Sequence, residues 1–223
     1  MKEAMNMSWN RPFSLRFGCS IFVLACVWFM ATPAQAQTDI NVNIYEAIPT
    51  SASKPAGTSG GVTDPGVEQT ADPSLGFLMG MRHMFRPHFG LEFDLGYNRA
   101  TQHFTGAPDA SGVVYSHAKS FMFDYVANLK TYRGFKVFVL GGAGFVSYNI
   151  SSFSSLPAIP EKMPAGEYGV GADYRPHFLP SHIALRMQYR GIVEHAPDYR
   201  LTYLSTNNLI NISEPSIGLA FKF

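Results

Sequence analysis

Eight charged side chains stand within otherwise apolar segments of the sequence, each alternating with aliphatic or aromatic residues. They are Arg82, Glu92, Asp94, Asp124, Asp173, Arg175, Arg186 and Arg190. Successive residues of an extended strand point to opposite faces, so these charges would share one face. Carboxylates and guanidinium groups that leave water must be paired. The mixed signs therefore predict a buried network of ion pairs, with the acidic residues opposite the arginines.

Two groups of residues combine a histidine with a nucleophile or an acid. They are Ser116, His117 and Ser120, and Glu194, His195 and Asp198. Adjacent strand residues point to opposite faces, so Ser116 and His117 are badly placed as nucleophile and base. The spacing of the 7 histidines matches no metal-ligand pattern. We expect no catalytic residue, no metal ligand and no cofactor.

The elements that carry these residues show a hydrophobic period of two, typical of β-strands with one apolar face. We predict strands at about 39–46, 75–82, 91–98, 120–129, 136–149, 168–175, 183–190 and 216–223. The strand at 136–149 is apolar at both parities, which leaves its facing open. No segment shows a sustained helical period.

The connections between the predicted strands alternate between long and short. The long ones cover about 49–73, 102–117, 150–165 and 195–213 and are rich in polar residues, Gly and Pro. In an up-and-down arrangement, this alternation gathers the tight turns at one end and the long loops at the other. The sequence therefore predicts an all-β, antiparallel up-and-down barrel of about eight strands, a pattern typical of transmembrane barrels.

The first 36 residues have the composition of an export signal. Basic residues precede the apolar run 17–30, and Ala34 and Ala36 stand where a signal peptidase reads small side chains. We predict a cleaved signal peptide at 1–36 and a barrel domain at 37–223. A retained membrane anchor is the alternative.

Both cysteines of the chain, Cys19 and Cys26, lie inside the predicted signal segment. The exported chain would therefore have no disulfide and no thiolate chemistry. Processing as a lipoprotein at Cys26 stays open. The formal net charge of the whole chain is +1, with no basic cluster, which argues against binding to nucleic acid.

Alternation alone does not separate a membrane barrel from a soluble lipocalin-like barrel, whose apolar face points inward. Charged residues form only 15% of the chain, below the roughly 25% of soluble domains, and lysine is sparse. Aromatic residues gather toward the predicted strand ends, as in the girdles of membrane barrels. These are Phe89, Tyr97, Tyr125, Tyr132, Tyr168, Tyr174, Phe178 and Tyr189. We therefore expect the apolar face to contact lipid.

The chain ends in Ser216-x-Gly218-x-x-Phe221-x-Phe223, which resembles the C-terminal β-signal of bacterial outer-membrane proteins. The segment 169–191 resembles the penultimate hairpin of eight-stranded OmpA/OmpX-like, opacity-type barrels, whose arginines point into the lumen. The resemblance implies location in the bacterial outer membrane, contact with lipid and lipopolysaccharide, and recognition by the assembly machinery. Because the sequence stops at Phe223, we expect no periplasmic peptidoglycan-binding domain.

This resemblance leads us to expect a monomeric, non-enzymatic protein of the cell envelope with a lumen filled by side chains. The long loops would serve adhesion or recognition, or the barrel would serve envelope integrity; no binding motif identifies an extracellular partner. The alternatives are a small ion or solute pore, a soluble lipocalin-like periplasmic carrier and, least favoured, a lipid A-modifying enzyme of the outer membrane.

Overall fold

The computed structural model is built from antiparallel β-strands and describes residues 37–59, 62–64, 66–106, 112–151, 154–155, 158–201 and 204–223. The strands in these residues are β1 (Gln37–Pro49), β2 (Ala52–Lys54), β3 (Gly57–Ser59), β4 (Val62–Asp64), β5 (Val67–Ala71), β6 (Ser74–Arg86), β7 (Phe89–Gly106), β8 (Gly112–Tyr132), β9 (Phe135–Ile150), β10 (Glu161–Tyr174), β11 (Ile183–His195) and β12 (Leu209–Lys222). In this part of the chain, no helix is long and apolar enough to span a membrane. The predicted signal peptide and its cleavage residues lie outside the described residues.

Eight of these strands close into a ring. β1 pairs with β6, each strand from β6 to β12 pairs with the next, and β12 pairs back with β1. In this closing pair Ile40 lies opposite Phe221 and Ile44 opposite Ile217. The predicted antiparallel up-and-down barrel of eight strands is confirmed. A closed ring has no unpaired edge, which is the condition for a sheet to cross hydrocarbon.

The short connections of the ring all lie at one end, as predicted. β6 and β7 are joined by a two-residue turn, and β8 and β9 by Arg133 and Gly134. These two residues have φ values of 48° and 86°, the positive angles that a tight hairpin of this length favours. The N–H of Phe223 donates to the carbonyl of Thr38 at 2.8 Å, so the chain end lies at this end as well.

At the opposite end the strands run further than the sequence predicted. β7 continues to Gly106 and β8 begins at Gly112, so most of the predicted loop 102–117 is strand. The predicted loop 49–73 contains β2 to β5, and β5 pairs with β7. We call β2 to β5 the arm. The polar composition of these segments predicted loops. Strands can nevertheless pair through their backbones when both of their faces are polar, and composition does not show such pairing.

Outward positions of the ring carry large, exposed apolar side chains. They include Ile40, Ile44, Leu75, Phe77, Met81, Phe93, Phe123, Val139, Val170, Met187, Ile217 and Leu219. Of the predicted girdle residues, seven are exposed, namely Phe89, Tyr97, Tyr125, Tyr132, Tyr168, Phe178 and Tyr189. Tyr174 is half-buried and stacks on Phe135 with ring centroids 4.6 Å apart. The outer surface is thus an apolar belt suited to lipid.

The structure also settles the facing of β9. Phe138 and Leu140 point into the barrel, whereas Val139 and Phe145 point outward. The ring of Phe138 occupies the space above Gly171 of the neighbouring strand β10, where a Cβ atom would collide with it. The small residue on β10 therefore makes room for a large aromatic side chain inside the barrel.

Candidate functional site in the barrel interior

A compact group of ion pairs fills the interior near the tight turns. Arg82 of β6 and Glu92 of β7 are register partners, and both are buried. The Nε of Arg82 donates to Glu92 Oε2 at 2.8 Å, and its Nη2 donates to the same oxygen. Hydrogen bonds between charged groups are about twice as strong as neutral ones, so this pair fastens two adjacent strands from inside.

Arg186 of β11 is the centre of the group. Its guanidinium donates to both oxygens of Asp173 at 2.8 and 3.1 Å. The same group donates to Glu92 Oε1 at 3.0 Å and to Asp39 Oδ1 at 3.2 Å. Arg186 is fully buried. One side chain therefore ties together strands β1, β7, β10 and β11 across the lumen.

Phe138 and Lys222 complete this layer. The guanidinium carbons of Arg82 and Arg186 lie 3.9 and 5.0 Å from the centroid of the Phe138 ring, within cation–π distance. Lys222 Nζ donates to Asp173 Oδ2 at 3.0 Å. An aromatic face and a lysine thus add to the ion pairs that the sequence predicted from arginine and acid alone.

Arg190 of β11 forms a second group. Its Nε donates to Glu214 Oε2, and its Nη1 lies 3.4 Å from Glu167 Oε2 and 3.7 Å from Asp94 Oδ2. The guanidinium carbon stands 5.4 Å from the centroid of the Tyr45 ring. Arg190 is fully buried and is shared among three carboxylates.

The structure places seven of the eight predicted network residues inside the barrel. Asp124 is among them and is fully buried, but it is not hydrogen-bonded to an arginine. The Asp124 carboxylate instead lies beside those of Asp94 and Glu167. One oxygen from each of the three lies within 4.8 Å of the others. Three carboxylates at this spacing form the kind of oxygen donor set that can hold a hard cation.

Arg175 is the exception and lies exposed, outside the network. β10 ends at Tyr174, so the alternation that points Asp173 inward does not extend to position 175. The prediction of an inward Arg175 was wrong because the chain leaves the sheet one residue earlier. Of the acids expected to pair with the arginines, Glu92 bonds to Arg82 and Arg186, and Asp94 lies 3.7 Å from Arg190.

Several interior charges were missed at the sequence level. They are Asp39, Glu167, Glu194, Glu214 and Lys222. The two-residue alternation would have predicted an inward position for most of them. Lys222 stands between two outward phenylalanines, and Asp39 stands at the start of the alternation in the first strand. Each stands near the end of a strand predicted from the sequence or just outside it, where polar neighbours hide the alternation.

The candidate catalytic residues are not brought together. Ser116 is buried and hydrogen-bonds the carbonyl of Ala100, whereas His117 bonds the Tyr97 hydroxyl at 2.8 Å through Nδ1. In the second group, Glu194 accepts a hydrogen bond from the Tyr148 hydroxyl inside the barrel, and His195 is exposed. Each histidine therefore stands apart from its adjacent acid or hydroxyl.

The remaining candidates have structural partners as well. The Ser120 hydroxyl accepts a hydrogen bond from Arg190 Nη2 at 3.4 Å. Asp198 Oδ1 accepts one from the backbone N–H of Arg200 at 2.9 Å. Both residues thus contribute to local structure.

A cluster of buried apolar side chains, which we call the plug, lies inside the barrel at the end with the long connections. Tyr199 and Leu204, from the connection between β11 and β12, are fully buried. The Tyr199 ring packs edge-on against Phe104 and Tyr148, with centroids 6.2 and 6.1 Å apart. Burial raises the pKa of the Tyr199 hydroxyl above its ordinary value. The sequence predicted this connection as a surface loop; part of it folds inward because its apolar side chains leave water.

The predicted C-terminal signal lies on the closing strand. Phe221 and Phe223 point outward, and Phe223 is 77% exposed. The Ser216 hydroxyl donates to the carbonyl of Gln188 at 3.1 Å. Gly218 faces the barrel interior against Asn43, with no room for a Cβ. Recognition of these residues by the assembly machinery stays a prediction.

Comparison with known proteins identifies the fold. Residues 22–223 match the profile of the outer membrane protein beta-barrel domain. OprG, an outer membrane protein of Pseudomonas aeruginosa, is 18% identical with a TM-score of 0.53, and the match covers 84% of this chain and 96% of OprG. The outer membrane protein AlkL is 16% identical with a TM-score of 0.53, and the match covers 97% of each chain.

Among curated proteins, no significant sequence match is found. The profile match nevertheless spans most of the chain, and the closed ring with its apolar belt agrees with it. The bacterial outer membrane is therefore where this barrel resides. The chain belongs to the family of outer-membrane proteins with a β-barrel domain.

Proposed function

We propose that this protein is a closed, non-enzymatic barrel of the cell envelope that conducts neither ions nor solutes. The observation that carries the proposal is two barriers in series within the lumen. One is the layer of ion pairs around Arg186, and the other is the apolar plug formed by Tyr199 and Leu204. An eight-stranded barrel leaves an interior just wide enough for side chains to fill, which agrees with this arrangement.

The small size of a cavity inside the barrel supports the same view. A cavity of about 40 Å³ is bordered by Ala118, Val146 and Ile192. Pockets that hold drug-sized ligands measure roughly 300–1,000 Å³. The cavity has room for little more than water, which weighs against a carrier that holds its cargo in the lumen.

Planar-bilayer recording tests the closed lumen. We expect the reconstituted protein to show no steady open level, because Arg186 and its carboxylates occupy the lumen. The matched comparison removes one side chain from each barrier, in a variant that combines Arg186→Ala with Tyr199→Ala, and should give brief or persistent openings. A steady open level in the wild-type protein would refute the proposal in favour of a pore.

One possible role would then be adhesion or recognition by the surface at the end with the long connections. The other is a contribution of the barrel itself to envelope integrity. The arm offers exposed residues such as Glu68 and Thr70 beside buried Val67. A deletion strain complemented with a Glu68→Lys, Thr70→Lys variant separates these roles. Loss of adhesion with intact detergent resistance would indicate recognition. If deletion changed neither property, the proposed role would be wrong.

A further inference from the structure

Three carboxylates converge inside the barrel, and the residues that the structure describes offer them no matching set of cations. Asp94 of β7, Asp124 of β8 and Glu167 of β10 each place one oxygen within 4.8 Å of the others. Asp94 and Asp124 are 0% exposed and Glu167 is 5% exposed. Like charges this close and this well removed from water repel strongly unless something neutralises them.

Hydrogen bonds within the described chain do not satisfy this group. Both oxygens of Asp94, both of Asp124 and Oε1 of Glu167 have no donor among the described residues. Arg190 is the nearby cation, 3.4 Å from the other oxygen of Glu167 and 3.7 Å from Asp94. It also donates to Glu214, so one guanidinium is shared among the carboxylates around it.

The charge balance of the interior gives an independent argument. Among the buried residues of the described chain there are eight acids, namely Asp39, Glu92, Asp94, Asp124, Glu167, Asp173, Glu194 and Glu214. The buried Lys and Arg residues of the same part of the chain are Arg82, Arg186, Arg190 and Lys222. Arg82, Arg186 and Lys222 are engaged with Glu92, Asp39 and Asp173. Arg190 donates to Glu214, so four acids lack a matching cation among these residues, and three of the four are Asp94, Asp124 and Glu167.

The backbone is shaped to seat these carboxylates. Gly80 of β6 is the register partner of Asp94, and a Cβ atom there would collide with Asp94 Oδ1. Gly142 of β9 lies in register between Asp124 and Glu167, and a Cβ there would collide with Asp124 Oδ1. Two glycines thus provide the space that the carboxylates occupy.

We propose that Asp94, Asp124 and Glu167 bind a divalent cation, Ca²⁺, inside the barrel. The donors are all oxygen atoms, the ligands that Ca²⁺ takes at 2.3–2.6 Å, so ligands on opposite sides of the ion stand about 5 Å apart. Mg²⁺ needs a tighter octahedron and keeps several waters, which suits this buried group less well. The ion would offset two of the three negative charges of this group and join β7, β8 and β10. This site is independent of whether the surface binds a partner.

The test uses the protein purified in detergent micelles free of lipopolysaccharide. It is unfolded in urea with EDTA present, which removes bound metal, and is then refolded with or without Ca²⁺. We expect elemental analysis after desalting to find one Ca²⁺ per refolded chain. Unfolding in urea should need more denaturant with Ca²⁺, since free ion at 100 times its Kd shifts the unfolding equilibrium about 100-fold. Wild-type protein refolded with Ca²⁺ that retains no ion would overturn the proposal and assign protons to these carboxylates.

Variants locate the ion. Asp124→Asn keeps the shape of the side chain and should abolish both the bound Ca²⁺ and the Ca²⁺-dependent stabilisation. Asp72→Asn is the matched control, because Asp72 is an exposed surface acid paired with His103, and it should bind Ca²⁺ as the wild type does. Glu167→Gln serves if Asp124→Asn does not fold. Equal Ca²⁺ content in the wild type and in the folded interior variant would overturn the assignment.

Discussion

At the scale of single residues, Arg186 shows how a buried charge organises this protein. Removing it would take the guanidinium away from Asp39, Asp173 and Glu92. Glu92 would keep Arg82 and Asp173 would keep Lys222, whereas Asp39 would lose its arginine partner. Breaking a buried pair by deleting one partner costs about 3–5 kcal/mol, because the remaining charge is uncompensated. We expect Arg186→Ala to lower the free energy of unfolding by this amount, measured by urea unfolding in lipid vesicles.

Arg175 supplies the matched control for this prediction. It is an arginine in the turn of the same β10–β11 hairpin, and it lies exposed and outside the network. Arg175→Ala should change the free energy of unfolding by no more than about 0.5 kcal/mol, as is usual for surface positions. Similar losses for the two variants would show that burial of Arg186 contributes nothing special to stability.

At the scale of elements, the terminal strand β12 combines a structural and a cellular role. The backbone of Phe223 is hydrogen-bonded to Thr38, whereas its side chain is 77% exposed. We expect Phe223→Ala to change refolding yield in detergent only slightly, because little contact area is lost within the barrel. In cells the same variant should sharply reduce the folded, heat-modifiable form in the outer membrane, measured by gel migration of membrane fractions.

The neighbouring aromatic gives the comparison for this prediction. Phe221 is partly buried on the same outward face, opposite Ile40 and Ile183. Phe221→Ala should impair refolding in detergent as well as assembly. If Phe223→Ala reduced refolding and assembly to the same extent, its role would be in stability and the signal interpretation would fail.

At the scale of the whole molecule, the unequal ends of the barrel predict its orientation. Phe178 lies in the turn between β10 and β11 and is 84% exposed, whereas Arg200 is exposed at the end with the long connections. Outer-membrane barrels place short turns in the periplasm and long loops outside. In intact cells, we expect a membrane-impermeant maleimide to label Arg200→Cys and to leave Phe178→Cys unlabelled until the membrane is permeabilised.

Labelling of the wild-type protein gives the background in this experiment. Its two cysteines, Cys19 and Cys26, both lie in the segment predicted to be cleaved on export. Labelling of Phe178→Cys in intact cells would reverse the assigned orientation. The arm, the plug and the surface proposed for recognition would then face the periplasm.

Across these scales, the sequence by itself determined the eight strands of the ring, the facing of all but β9, and the alternation of short and long connections. A strand places alternate side chains on opposite faces, so Arg82, Asp94 and Arg190 could be assigned to one face from local spacing alone. The same rule failed at Arg175 and left β9 undecided, because local spacing does not show where a strand ends or which of two apolar faces a neighbour can accommodate. Gly171 on the adjacent strand decided the position of Phe138.

Only the tertiary structure decided which charges meet and what fills the space between them. Arg186 bonds to Asp39 and Glu92, which lie 147 and 94 positions away in the chain, and closure of the ring is what brings them together. The inward fold of Tyr199 and the convergence of Asp94 with Asp124 depend on the same closure. A barrel this narrow forces side chains from all its strands into one volume, so their partners follow from the register and the available space.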